Sequence, residues 1–309
     1  MNNASFFSVA VTVAGLACGP KSDGKVSLAS SESWCPEGFE IGPADTCFAI
    51  PEKTEKNTPI LVYLHGMYEG RGSAEEWLLV HRATAKGFAV IIPRGKRGAC
   101  ELKAELKDFF CWPSEADDPQ AAKAVVADWD RVIWQVDALL EPGTHKRFVL
   151  GFSDGGAFAS YLASRAMFAA SGWAIVNGGE LEAPFASSVP EARRAEPPSA
   201  SKSSVHEGRR ADRPSASSAH EGRRAQPMGK GAPILLVSAS GDTDAAPRMK
   251  ALNKKLTKYD WPHASCMRGG GHALSAEDVE AAAAFFQHDV ELPSAKSPPA
   301  CEGGMKPTP

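Results

Sequence analysis

Arg147-Phe148-Val149-Leu150-Gly151-Phe152-Ser153-Asp154-Gly155-Gly156-Ala157-Phe158-Ala159-Ser160-Tyr161-Leu162-Ala163 is the stretch whose reading decides the fold. It opens as an apolar run of strand length, closes as a helix of small residues, and carries the pentapeptide Gly151-Phe152-Ser153-Asp154-Gly155 at the junction. A serine hydroxyl is a weak nucleophile; a sharp strand-to-helix turn lifts it out of the strand and exposes it to a base. Side chains at the flanking glycines would collide across such a turn. Gly156 and Ala157 let the helix pack closely on the strand it has left, and the helix N-terminus then lies beneath any developing oxyanion.

A nucleophile of this kind needs an acid and a base further along the chain. Pro233-Ile234-Leu235-Leu236-Val237-Ser238-Ala239 reads as a buried strand running into Ser240-Gly241-Asp242-Thr243-Asp244 ahead of a helix. Cys266-Met267-Arg268-Gly269-Gly270-Gly271-His272 places a histidine on a glycine loop before an amphipathic helix at about 276–290. Taken singly, the aspartates read as helix caps and His272 as an exposed loop residue. Serine, acid and histidine in that order, each at a strand end, read together as a catalytic triad.

These features resemble the α/β-hydrolase superfamily over roughly residues 55–180 and 232–290. Its esterase branches carry a Gly-x-x-Asp turn after the penultimate strand, often followed by proline, which Gly241-Asp242-Thr243-Asp244 with Pro247 matches. The resemblance implies Asp244 as the triad acid, with Asp242 as the alternative and Glu180 a distant third. Upstream, the strand at 59–64 delivers His65-Gly66-Met67, which resembles the superfamily's oxyanion turn. By that resemblance the backbone amides of Met67 and Asp154 are the oxyanion donors, while His65 has a structural role and moves no proton. Cys111-Trp112-Pro113 and the extended elbow Gly151–Gly156 resemble secreted polyhydroxyalkanoate depolymerase-like and feruloyl esterase-like hydrolases. That likeness implies Trp112 in an acyl or sugar pocket; a structural Trp packed on a Cys100–Cys111 bridge is the alternative.

Around these motifs strands and helices alternate: strands at 59–64, 88–92, 147–152, 173–176, 233–239 and 263–267, and helices at about 74–86, 121–140, 155–168, 245–258 and 276–290. Alternation of this kind predicts a mostly parallel sheet covered on both faces, with ligands at the C-terminal strand ends. The expected fold class is therefore α/β, an α/β-hydrolase domain over residues 34–292. Residues 34–51 read as a small disulfide-clipped preamble to it. One low-complexity segment at about 186–231 interrupts the domain with altered copies of Glu191-Ala192-Arg193-Arg194-Ala195. No apolar period runs through it, so it is expected to be disordered. A tail follows at 293–309.

The chain has 309 residues, 43% of them hydrophobic and 23% charged, enough for one full core. Its net charge of −3 suggests no nucleic-acid partner, and the basic excess is local: residues 191–231 hold nine Lys/Arg against five Asp/Glu. Residues 6–17 form an uncharged apolar run ending in Gly15-Leu16-Ala17-Cys18. This resembles a bacterial lipoprotein signal over residues 1–18, implying lipidation at Cys18, a tether at 19–33 and a cell-envelope location, with Gly19 favouring the outer membrane. Simple secretion is the alternative. If Cys18 carries lipid, six cysteines remain, an even number suited to an oxidising compartment. Short loops favour Cys35 with Cys47 and Cys100 with Cys111, leaving Cys266 for Cys301. No metal site and no cofactor are expected, since no Cys-x-x-Cys or paired-histidine spacing occurs.

The function expected from these residues is an exported serine hydrolase acting on small-molecule or polymeric carboxylic esters, attached to a membrane through its lipid alone. A peptidase, a thioesterase, or a cell-surface binding protein without turnover are the alternatives.

Overall fold

A computed structural model describes residues 34–70, 72, 74–100, 104–113, 119–179 and 231–287. The expectations for Cys18, Glu180, Cys301, the signal and tether, the interruption at 186–230 and the tail lie outside the described residues.

Eight strands form one sheet: β1 Glu40–Gly42, β2 Thr46–Ala49, β3 Ile60–Leu64, β5 Ala89–Pro93, β8 Arg147–Phe152, β9 Gly172–Val176, β10 Ile234–Ala239 and β11 His263–Arg268. Their order is β1-β2-β5-β3-β8-β9-β10-β11, antiparallel at the first two pairings and parallel from β5 onward. This is the α/β-hydrolase arrangement. The residues at 34–51 are thus no preamble: β2 pairs with β5 and, with β1, forms one side of the sheet, and Cys35 is disulfide-bonded to Cys47 of β2.

The strands are apolar without interruption because both faces are covered. In β3, Ile60, Val62 and Leu64 join the core beneath α2 (Pro119–Leu139), α3 (Asp154–Ser164) and α4 (Ala245–Lys258). The intervening Leu61 and Tyr63 join a second core with α1 (Ala74–Ala85) and α5 (Ala276–Gln287). In α2 the buried set Ala122, Val125, Val126, Trp129, Val132, Ile133 and Val136 has the three-four spacing of a one-sided apolar stripe.

A second, small sheet, absent from the sequence-based expectations, joins β4 Tyr68–Glu69, β7 Phe109–Cys111 and β6 Lys96–Arg97. Its strands have two or three residues each, too short for an alternation pattern to register. Cys100 is disulfide-bonded to Cys111 of β7.

From β3 the chain crosses to β5 on one side and returns to β8 on the other. The topology therefore switches direction at the C-terminal ends of β3 and β8, where Leu64 pairs with Gly151. The acid and histidine loops leave the same edge, after Ala239 and Arg268, which are paired with each other.

Candidate active site

Ser153 follows β8 and precedes the first residue of α3, with φ 53° and ψ −118°. A non-glycine residue in that region is strained by about 1–3 kcal/mol and persists only where its surroundings impose it. Here they do. The Ser153 amide donates to Val176 O at 2.9 Å, tying the turn to β9. A Cβ on Gly155 would fall 2.1 Å from Leu64 O, so only glycine lets α3 begin this close to the end of β3. A Cβ on Gly66 would lie 3.2 Å from Cβ of Ser153, which sets the His65-Gly66-Met67 turn beside the serine.

His272 Nε2 lies 2.7 Å from Ser153 Oγ, and Nδ1 lies 2.5 Å from Asp242 Oδ2. The tautomer that satisfies both contacts has Nδ1–H donating to Asp242 and Nε2 accepting from the serine hydroxyl. The acid in contact with the histidine is therefore Asp242 and not Asp244. Asp242 is 4% exposed and accepts the Ala245 amide on Oδ1 at 3.0 Å, leaving Oδ2 for the imidazole. Asp244 already has helical backbone angles at the start of α4, makes no capping bond with its side chain, and is exposed. Burial pushes the Asp242 carboxyl upward, but the amides of Ala245 and Asp244 and the imidazole of His272 outweigh it and hold the group below the usual carboxylate range.

His65 is fully buried and has no contact with the serine hydroxyl among its hydrogen bonds. Its Nδ1–H donates to Gly66 O at 2.7 Å and its Nε2 accepts the Gly95 amide at 2.8 Å. Burial lowers its pKa to about 3, so it is a neutral brace for the turn.

Trp112 is 2% exposed, which favours the structural role over the substrate pocket. Its ring stacks on Phe158 with 5.5 Å between centroids and an interplanar angle of 7°, and meets Trp129 edge-on. The indole N–H donates to His65 O at 2.8 Å, and the Trp112 amide donates to Asp154 Oδ2 at 2.9 Å. An indole has one polar atom, and a partner inside the fold lets the rest of the ring be buried. Burial raises the Asp154 carboxyl to about 6 against the lowering effect of the Trp112 amide.

Two further residues support the site. Glu76, in the first turn of α1, accepts the Gly66 amide at 3.3 Å and the Tyr63 hydroxyl. Asn177 has φ 47° and is fully buried; its amide donates to Val237 O at 2.9 Å and its Oδ1 accepts the Ala239 amide at 2.7 Å. It joins the strand beside the serine turn to the strand that ends at the acid. The Asn177-Gly178 pair after an apolar run is a turn signal that marks this position; nothing local marks Glu76.

Among the described residues, no group of three or more His, Cys, Asp or Glu is placed to hold a metal ion. Cys266 is disulfide-bonded; its expected partner Cys301 lies outside the described residues.

No family model and no curated protein matches the chain by sequence. Solved structures of similar chain path include the esterase PE8, at 17% identity over 80% of this chain and 97% of that one, TM-score 0.48. A Bacillus cereus carboxylesterase is 14% identical over 79% of this chain and 93% of its own, TM-score 0.48. A variant of Arabidopsis thaliana SOBER1 is 17% identical over 75% and 99%, TM-score 0.47. At these identities the likeness concerns the chain path and not the reaction.

Proposed function

We propose that the protein is an exported serine hydrolase that cleaves carboxylic esters through an acyl-enzyme. One observation carries the reading: the unbroken relay from Ser153 Oγ through His272 to the buried carboxylate of Asp242, built on a strained strand-to-helix turn. His272 Nε2 takes the hydroxyl proton as Oγ attacks the ester carbonyl. Asp242 holds the tautomer and stabilises the imidazolium that forms. The tetrahedral oxyanion is received by the amides of Met67 and Asp154, the first on the turn braced by His65 and Glu76, the second at the N-terminus of α3. The imidazolium then protonates the departing alcohol, and water repeats the sequence on the acyl-enzyme.

The cellular setting in this proposal is the envelope of a bacterium, with Cys18 as the lipidated first residue of the mature chain. Its support is the sequence of residues 6–18, together with the Cys35–Cys47 and Cys100–Cys111 disulfides, which favour an oxidising compartment.

A fluorophosphonate probe should label the wild-type protein and leave Ser153→Ala unlabelled. Ser153→Ala and His272→Ala should each lower p-nitrophenyl ester turnover on the order of 10³-fold or more while keeping the wild-type melting temperature, since neither side chain packs the core. Thioester and amide substrates belong in the same panel, because the acyl chemistry is shared. Failure of every acyl substrate together with failure of the probe would refute the proposal in favour of a binding protein.

A further inference from the structure

His272 sits at the end of Gly269-Gly270-Gly271, a loop with no side chains of its own and with Gly270 at φ 90°. Glycine has more backbone freedom to lose than any other residue. A general base, however, must be held within a few tenths of an ångström of its partner. The local sequence offers nothing that would hold it.

Arg268, the last residue of β11, supplies the missing restraint. Its Nη1 donates to Gly269 O at 2.8 Å, and its Nη2 donates to Ala273 O, so one guanidinium grips the main chain on both sides of His272. The same group is anchored from behind: Nε donates to Asp278 Oδ1 at 2.6 Å and Nη2 to Asp278 Oδ2 at 2.7 Å. Asp278 is fully buried in the first turn of α5. It exchanges bonds with Ser275, accepting that residue's amide at 2.8 Å and donating its own to the Ser275 hydroxyl at 3.2 Å. The acid loop is joined to the same unit, because the Ser240 amide donates to Arg268 O and the Gly241 amide to Gly270 O, both at 2.8 Å.

We propose that the buried Arg268–Asp278 pair is a clamp that positions His272 between Ser153 and Asp242. Arg268 is a positioning residue of the hydrolytic reaction, and the inference rests on the esterase reading above. Two considerations set this role apart from a staple between β11 and α5. A buried ion pair is a poor source of stability, since well-packed apolar residues often replace one without loss. And two of the four guanidinium bonds go to the carbonyls that bracket the base, an arrangement only a planar fork with several fixed donors can make; a lysine ammonium would reach Asp278 or the loop but not all three acceptors.

The test uses the double variant Arg268→Met/Asp278→Leu, which removes both charges and keeps the volume apolar, beside Arg268→Lys. The double variant is expected to keep a cooperative thermal transition while kcat for p-nitrophenyl acetate falls about 10- to 100-fold and KM stays within about twofold. Arg268→Lys is expected to fall between it and wild type. A downfield Nδ1 proton of His272 is expected by NMR in the wild-type protein and should broaden or vanish in the double variant. A folded double variant with at least half the wild-type kcat and an unchanged Nδ1 signal would overturn the clamp. If the double variant does not fold, Arg268→Lys decides by the same two readouts. A wild-type protein inert to esters and to fluorophosphonate would overturn the esterase reading, and the Nδ1 comparison alone would then decide the clamp.

Discussion

The backbone amide of Trp112 donates to the side chain of Asp154 at 2.9 Å, and that bond joins the disulfide-bearing small sheet to the residue directly after the serine. Asp154 therefore carries two roles on one residue: a main-chain amide at the proposed oxyanion position and a carboxyl that burial pushes up to about 6. Ionised, that carboxylate opposes the negative charge that develops on the substrate oxygen.

Asp154→Asn keeps an acceptor for the Trp112 amide and removes the ionisation. Because the folded carboxyl titrates above its unfolded value of about 3.8, its contribution to stability is complete below pH 4 and is lost as pH rises through 6. At pH 7 the variant should be about 1–2 kcal/mol more stable than wild type by urea titration, allowing for partial solvent screening. An equal or lower stability at pH 7 would mean the carboxylate is better solvated than its surroundings imply.

The identity of the acid is open to direct comparison. Asp242→Asn should lower kcat by about 10³- to 10⁴-fold, because the amide stabilises the wrong imidazole tautomer, whereas Asp244→Asn should leave kcat within about threefold. Steady-state kinetics on one short-chain ester suffices, and the reverse ranking would return the role to Asp244.

Trp112→Ala removes a side chain that is 2% exposed and should cost about 3–5 kcal/mol in thermal or chemical unfolding. Trp112→Phe keeps most of the packing and loses the bond to His65 O, for about 1 kcal/mol. Neither variant should alter the ranking of acetate, butyrate and octanoate esters. A changed chain-length preference would place the indole at the substrate.

His65 predicts an acid-sensitive fold. Its folded pKa of about 3 lies below the unfolded 6.5, so the stability it contributes is whole above pH 6.5 and declines as pH falls toward 3, by at most about 1.4 kcal/mol per pH unit. The stability gap between wild type and His65→Gln should therefore narrow between pH 7 and pH 4. A gap that stays constant over that range would show that His65 takes up its proton as readily in the folded protein as in the unfolded chain.

The sequence by itself determined the class of fold and the place of the candidate site. Runs such as Pro59–Leu64, Phe148–Phe152 and Ile234–Val237 are apolar at consecutive positions, and only a sheet covered on both faces buries every residue of such a strand. Gly151 and Gly155 around Ser153 identify a turn too tight for side chains. His65-Gly66, Gly241–Asp244 and Gly271-His272 each follow a strand, and a parallel sheet delivers such segments to one edge. What only the tertiary structure decided concerns partners far apart in the chain. Asp242 and Asp244 stand two residues apart on one turn; which of them meets His272 depends on where α4 begins and on the register of β10 against β11. Trp112 reads equally well as a pocket wall or a core ring until Phe158, Trp129 and the carbonyl of His65 close around it. Glu76 and the Arg268–Asp278 pair have no motif, because each acts by hydrogen bonds between separate elements of the fold. The geometry of such a bond is set by packing and not by neighbours in sequence.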